Sequence, residues 1–250
     1  MAWLDWEVVG APMAAGLLVL STHVLLGREV LRRGIIFIDL AIAQIAVLGV
    51  LAAQQLGWPE GGWSTQASAL AAALGGALLL HGFERFWPKY QEALIGISFV
   101  MAASGALLLS AGNPHGAEHL QELLSGQLLW VRWDQLGWMA ALYVLILLVW
   151  RWLGHQGRRF YLLFSLAVTA SVQIVGVYLV FASLIIPALA VRRLGDVSGL
   201  LTGYGIGALA YGGGLLLSSA LDWPAGPVVV WLLGISSVVV GLMVSRGLPQ

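Results

Sequence analysis

Eight apolar runs of membrane length dominate the chain, at residues 8–26, 34–56, 66–82, 93–111, 135–150, 160–191, 199–220 and 225–245. A helix needs about 20 residues, rising ~1.5 Å each, to cross the hydrocarbon core, so most of these runs cross once. Composition points the same way. Of 250 residues, 60% are hydrophobic and 10% charged, with a mean hydropathy of +0.89, whereas a soluble domain has about 25% charged residues. The expectation is an all-α polytopic membrane protein with 8–9 transmembrane helices in a single transmembrane domain over 1–250. The 32 glycines suit helices that pack closely in lipid, where small residues let backbones approach. Net charge is zero, which gives no electrostatic ground for a nucleic-acid partner. Without cysteine there is neither a disulfide nor a thiolate metal site.

The basic residues set an orientation. Arg28, Arg32 and Arg33 follow the first run, Arg85 and Lys89 the third, and Arg151, Arg158 and Arg159 the fifth. Arg192 and Arg193 follow the sixth and Arg246 the last. The alternate loops (57–65, 112–134, 221–224) hold one arginine, Arg132, among several acids. By the positive-inside rule the arginine-rich loops are cytoplasmic, the amino terminus lies outside and the carboxyl terminus inside. The first run has its positive charges after it rather than before, unlike a cleaved signal. Most tryptophans fall at the edges of the runs, as interfacial anchors do.

That orientation puts both ends of 160–191 in the cytoplasm. The chain is therefore expected to go out along 160–177, break at Gly176 and return along a shorter piece containing Pro187, the alternative being one long kinked helix. Irregular backbone at membrane depth is tolerated where it is buried in protein or lines a cavity, so a break points to a pathway.

Polar residues inside the runs are the next clue. A helix continuous from Arg33 would place Asp39 about 9 Å and Gln44 about 16 Å along its axis, in the inner leaflet and near the midplane. An ionised Asp at the bilayer centre costs at least about 2.5–3.5 kcal/mol, and such residues usually face a bundle interior or an aqueous path. Asp39 either lines such a path or pairs with Arg32 or Arg33. Gln173, just before Gly176, is a path residue or an interhelical hydrogen-bonding group. His23 is a further path candidate or a satisfied interior histidine. In the outer stretch NPHGAEHLQE, His115 and His119 stand four apart, a spacing that puts both imidazoles on one helix face toward a divalent metal, or they belong to a solvated loop. No G-x-x-x-x-G-K-[ST] loop is present, so the chain is not expected to couple nucleotide hydrolysis to transport by itself in the usual way. Neither a G-x-S-x-G elbow nor an H-E-x-x-H helix suggests hydrolysis.

Three segments together resemble the permease subunit of ABC-type divalent metal importers, the zinc/manganese/iron permease family. They are QIVGVYLVFASLIIPALAVRRL (173–194), the stretch 32–50, and EALIGISFVMAASGALLLS (92–110) with LLSGQLLWV (123–131). The resemblance implies a subunit that moves a divalent metal ion, zinc or manganese foremost, into the cell across the bacterial inner membrane. It implies a second permease copy, most simply a homodimer, two cytoplasmic ATPase subunits that bind the ATP, and an extracytoplasmic metal-binding protein. This chain would hold no cofactor of its own. Arg192, Arg193, Leu194 and Asp196 would form the segment that docks into the ATPase. Asp39, with His115 and His119, would offer metal ligands, and Asp39, Gln44, Gln173 and His23 would line the path. The family's second helix has Gly-Asp followed four residues later by His. Aligned on Gly49, Gln44 takes the His position and Asp39 falls one residue before the Asp position. An amide is a poorer zinc ligand than imidazole. That departure leaves open a permease for a metal chelate or another small solute, and a non-transporting membrane scaffold is a third reading.

Overall fold

In a computed structural model that describes residues 6–59, 62–110, 121, 124–154 and 156–247, nine helices run along the described chain. These are α1 (Trp6–Arg33), α2 (Ile38–Gln55), α3 (Trp63–Phe86), α4 (Gln91–Ser110), α5 (Trp133–Leu153), α6 (Arg158–Val175), α7 (Val177–Ala190), α8 (Asp196–Leu221) and α9 (Ala225–Gly247). Eight are long and apolar enough to span a membrane, and α7, with 14 residues, is the short one. No strand occurs among the described residues.

The expected break is present. Helix α6 stops at Val175, Gly176 adopts φ 79° and ψ 164°, and α7 starts at Val177. Only glycine takes that backbone region without strain. The kinked single helix is thereby excluded. Pro187 sits inside α7, where it cannot donate the N–H of a continuous helix.

The chain forms two compact units. Unit 1 comprises 1–33, 125–147 and 174–250, and unit 2 comprises 34–124 and 148–173. In unit 1, α1 packs on α7 and α8, and α9 packs on the same two helices. Glycines make these approaches close. A Cβ at Gly27 would run into the Leu184 carbonyl, one at Gly16 into the Tyr211 ring, and one at Gly207 into Leu20. Tyr211, fully buried, shares a 2.9 Å hydrogen bond with Ser183 on α7. The loop before α5 also belongs here. Gly126 (φ 72°) abuts Val175 and Gly176, backbone against backbone, so a Cβ at either glycine would collide with the other strand of the junction.

In unit 2, α2 is largely buried, held between α3 and α4, and α6 is largely buried as well. Gly49 admits Ala72 and the Ser68 carbonyl, and Ser68 returns a hydrogen bond to Gly49 O at 2.8 Å. Val47 and Leu51 close over Ala106 of α4. The outward sides of α3 and α4 remain apolar and exposed at Leu78, Leu79, Ile97, Met101 and Leu108, the arrangement of helices whose other solvent is lipid.

Candidate functional site: the buried acid of α2 and the segment after α7

Asp39 does not lie 9 Å up a helix continuous from Arg33. Helix α1 ends there, Gly34 turns with φ 69°, and α2 begins at Ile38, so Asp39 stands in the first turn of a new helix. The rise therefore counts from residue 38, and the partial positive charge at a helix start favours a carboxylate there. Asp39 is nonetheless only 1% exposed, and both its oxygens are buried without a hydrogen-bond partner among the described residues. The favourable groups close to it are the amides of its own turn, at Asp39 and Leu40. Glu92, at the start of α4, is a like charge nearby. Its Oε1 accepts the Phe37 N–H at 3.3 Å, and its Oε2 is buried and unpartnered. Two carboxylates thus converge on the start of α2, with three buried oxygens unsatisfied. Among the described residues no arginine is hydrogen-bonded to Asp39. Arg32 pairs with Glu29 and Asp196, and Arg33 pairs with Glu29.

Gln44 is also buried, at 5% exposure, but it follows Asp39 by five residues. Five residues turn a helix by about 140° and advance it about 7.5 Å, so the two side chains leave α2 on different faces. A four-residue spacing, about 40° apart, would have stacked them. Gln173 is exposed in the last turn of α6. His23 is fully buried in α1. Its Nδ1 lies 2.9 Å from Val19 O and 3.1 Å from Thr22 Oγ1. That geometry assigns the proton to Nδ1, donated to the carbonyl, and leaves Nε2 as a buried lone pair without a partner. His115 and His119 lie outside the described residues. Among the described residues no three His, Cys, Asp or Glu side chains gather into a metal-binding group.

The second region follows α7. Residues 191–194 form a turn closed by Val191 N–H to Pro187 O at 3.2 Å and Leu194 N–H to Val191 O at 2.9 Å. Arg192, Arg193 and Asp196 are exposed and Leu194 half-buried. Asp196 opens α8 and takes two arginines of α1, Arg28 at 3.0 Å and Arg32. Sequence reasoning used Arg28 only to orient the chain; its guanidinium also reaches the carbonyls of residues 194–196. The one advance sign was an acid and an arginine at the same expected membrane face. Beside this segment α7 and α9 flank an open, mostly apolar groove of about 490 Å³ lined by Ile185, Leu189, Arg192, Arg193, Val238 and Leu242. None of the expected path residues lines it.

The chain matches the ABC 3 transport family over residues 6–156 and 157–245. It belongs to that family. The ABC 3 permease is thus the membrane-spanning subunit of an ABC-type transport system. Its fold is similar to that of PsaBC from Streptococcus pneumoniae, solved in complex with a Fab. The TM-score is 0.75 at 17% identity, covering 96% of this chain and 92% of that one. It is also similar to an inward-facing conformation of a protein described as a metal-chelate type ABC transporter, with a TM-score of 0.67 at 16% identity, covering 97% and 89%. No curated protein matches this chain.

Proposed function

We propose that this ABC 3 permease imports a divalent metal ion, zinc or manganese, across the bacterial inner membrane, and that Asp39 is the acid the ion meets on its path. The observation behind this reading is the Asp39 carboxylate itself, 1% exposed with both oxygens unpartnered. An uncompensated buried carboxylate costs several kcal/mol, roughly, and a passing dication would offset that cost while it is bound. Family membership and the resemblance of 32–50 and 173–194 to metal permeases support the same reading. Gln44, His23 through its free Nε2, and Gln173 are further path groups, with His115 and His119 as outer ligands.

The whole chain works as one permease domain, with the amino terminus outside and the carboxyl terminus in the cytoplasm. Two copies form the path. A cytoplasmic ATPase pair docks on the segment of Arg192, Arg193, Leu194 and Asp196, and an extracytoplasmic protein delivers the ion. Closure of the ATPases on ATP then tilts the permeases between outward- and inward-open states. The test is zinc and manganese uptake by vesicles holding the assembled transporter. Asp39→Ala is expected to lower uptake at least about tenfold, the scale of losing one charged contact, and Gln44→Ala less. Uptake unchanged in both would remove these residues from the path.

One observation favours a second reading. Asp39 and Gln44 leave α2 on different faces, which suits a larger, weakly coordinated cargo better than a naked ion, and one similar fold is described as of metal-chelate type. Competition between free and chelated metal in the same vesicles separates the two.

A further inference from the structure

Arg28, near the end of α1, makes four polar contacts with residues 194–196. Its Nη1 donates to Gly195 O at 3.2 Å and Asp196 O at 3.1 Å, and its Nη2 to Leu194 O at 3.5 Å and Asp196 Oδ1 at 3.0 Å. The Arg28 side chain is 11% exposed while that of Asp196 is 74% exposed, so the arginine lies beneath the turn rather than on top of it. Gly199 leaves the room, because a Cβ there would strike the guanidinium. Gly195 O already accepts the Gly199 N–H that opens α8, at 2.8 Å; a carbonyl oxygen has two lone pairs, so Arg28 adds a second donor there and reaches three successive carbonyls of the turn. A planar guanidinium with five N–H groups answers several acceptors at once, whereas a lysine ammonium is a point donor. Gly195, which precedes α8, supplies no side-chain cap, and Arg28 of α1 adds its four bonds to those the turn makes within itself.

The geometry points to Arg28 as the positioning residue that makes residues 192–198 move as one body with α1. This rests on the proposed docking of the ATPase at that segment and adds to it the route by which a push is passed on. Helix α1 seats on α7 at Gly27 and on α8 at Gly16, and Val24 meets Gly203. A displacement of the turn therefore reaches α1 through Arg28, and α1 carries α7 and α8 with it. Without Arg28 the turn would bend on its own peptide bonds.

The experiment uses the full chain in nanodiscs, then in vesicles with the assembled transporter, with zinc as the ion. Hydrogen exchange of the amides of residues 192–199 is expected to be about tenfold faster in Arg28→Ala, the loss of charge-assisted bonds, and intermediate in Arg28→Lys. Asp196→Asn, which cuts the ion pairs and keeps the carbonyl contacts, is expected to change exchange less than Arg28→Ala. Zinc moved per ATP hydrolysed should fall in the same order. Unchanged exchange overturns the role assigned to Arg28, and so does an Asp196→Asn effect equal to that of Arg28→Ala. Faster exchange with an unchanged zinc-to-ATP ratio overturns the transmission. If Arg28→Ala does not fold, Arg28→Lys and Asp196→Asn decide by the same criteria. If the wild-type chain recruits no ATPase and moves no zinc, the proposed function fails, while the exchange measurement still decides whether Arg28 holds the turn.

Discussion

The two units treat an acid at the start of a helix in opposite ways. In unit 1, Asp196 opens α8, stays 74% exposed and takes two arginines of α1. In unit 2, Asp39 stands in the first turn of α2, is 1% exposed, and has a second acid, Glu92, nearby instead of a base. The helix start favours a carboxylate in both places. What differs is the remainder of the shell. An exposed acid with partners fixes the shape of a turn and costs little. A buried acid without them works against folding, and the role proposed for Asp39 would account for its being kept. Elsewhere the units pack alike, each using glycines to bring helices together, at Gly27 and Gly207 in one and Gly49 and Gly76 in the other.

The hardest test of this contrast is in unit 1. Gly176→Ala puts a Cβ into a glycine-only backbone region and against Gly126, and at least about 3 kcal/mol should be lost. Thermal unfolding in detergent should show little folded protein, and a near-normal midpoint would mean that the junction is soft. Asp39→Leu is the counterpart in unit 2. Removing an unsatisfied buried carboxylate should raise stability by about 1–3 kcal/mol while uptake is lost. A destabilised Asp39→Leu would show that the carboxylate has partners in the membrane and would erase the contrast. The smallest effect separates filled from open glycines. Gly82→Ala on α3 meets open space and should stabilise by about 0.5–1 kcal/mol, whereas Gly207→Ala meets Leu20 and should destabilise. Equal shifts would show that the glycines of unit 1 are not contact sites.

Much of the architecture was legible because lipid admits few solutions. The eight runs became eight span-length helices, and the length of 160–191 with Gly176 inside it located the break. The site was less legible, for reasons that lie in particular residues. The rise from Arg33 to Asp39 assumed one continuous helix, and a single positive φ at Gly34 replaced it with a turn. The five-residue spacing of Asp39 and Gln44 already set them on different faces of one helix, while the start of that helix at Ile38 had no local mark. Glu92 and Arg28 matter through partners 53 and 168 positions away in the chain, and neither local pattern nor hydropathy marks such pairs.

The division of the chain also has a consequence in time. Helix α1 leaves the ribosome well before the helices it rests on, α7 and α8. At about 5–20 residues per second, roughly 7–30 s separate the appearance of Arg33 from that of Val177. Throughout that interval the notches at Gly16 and Gly27 face the insertion machinery or lipid instead of Tyr211 and Leu184. A nascent chain halted before Val177 would present an unfilled α1 to the membrane's quality-control proteases, which could tell it from a finished one by that surface alone.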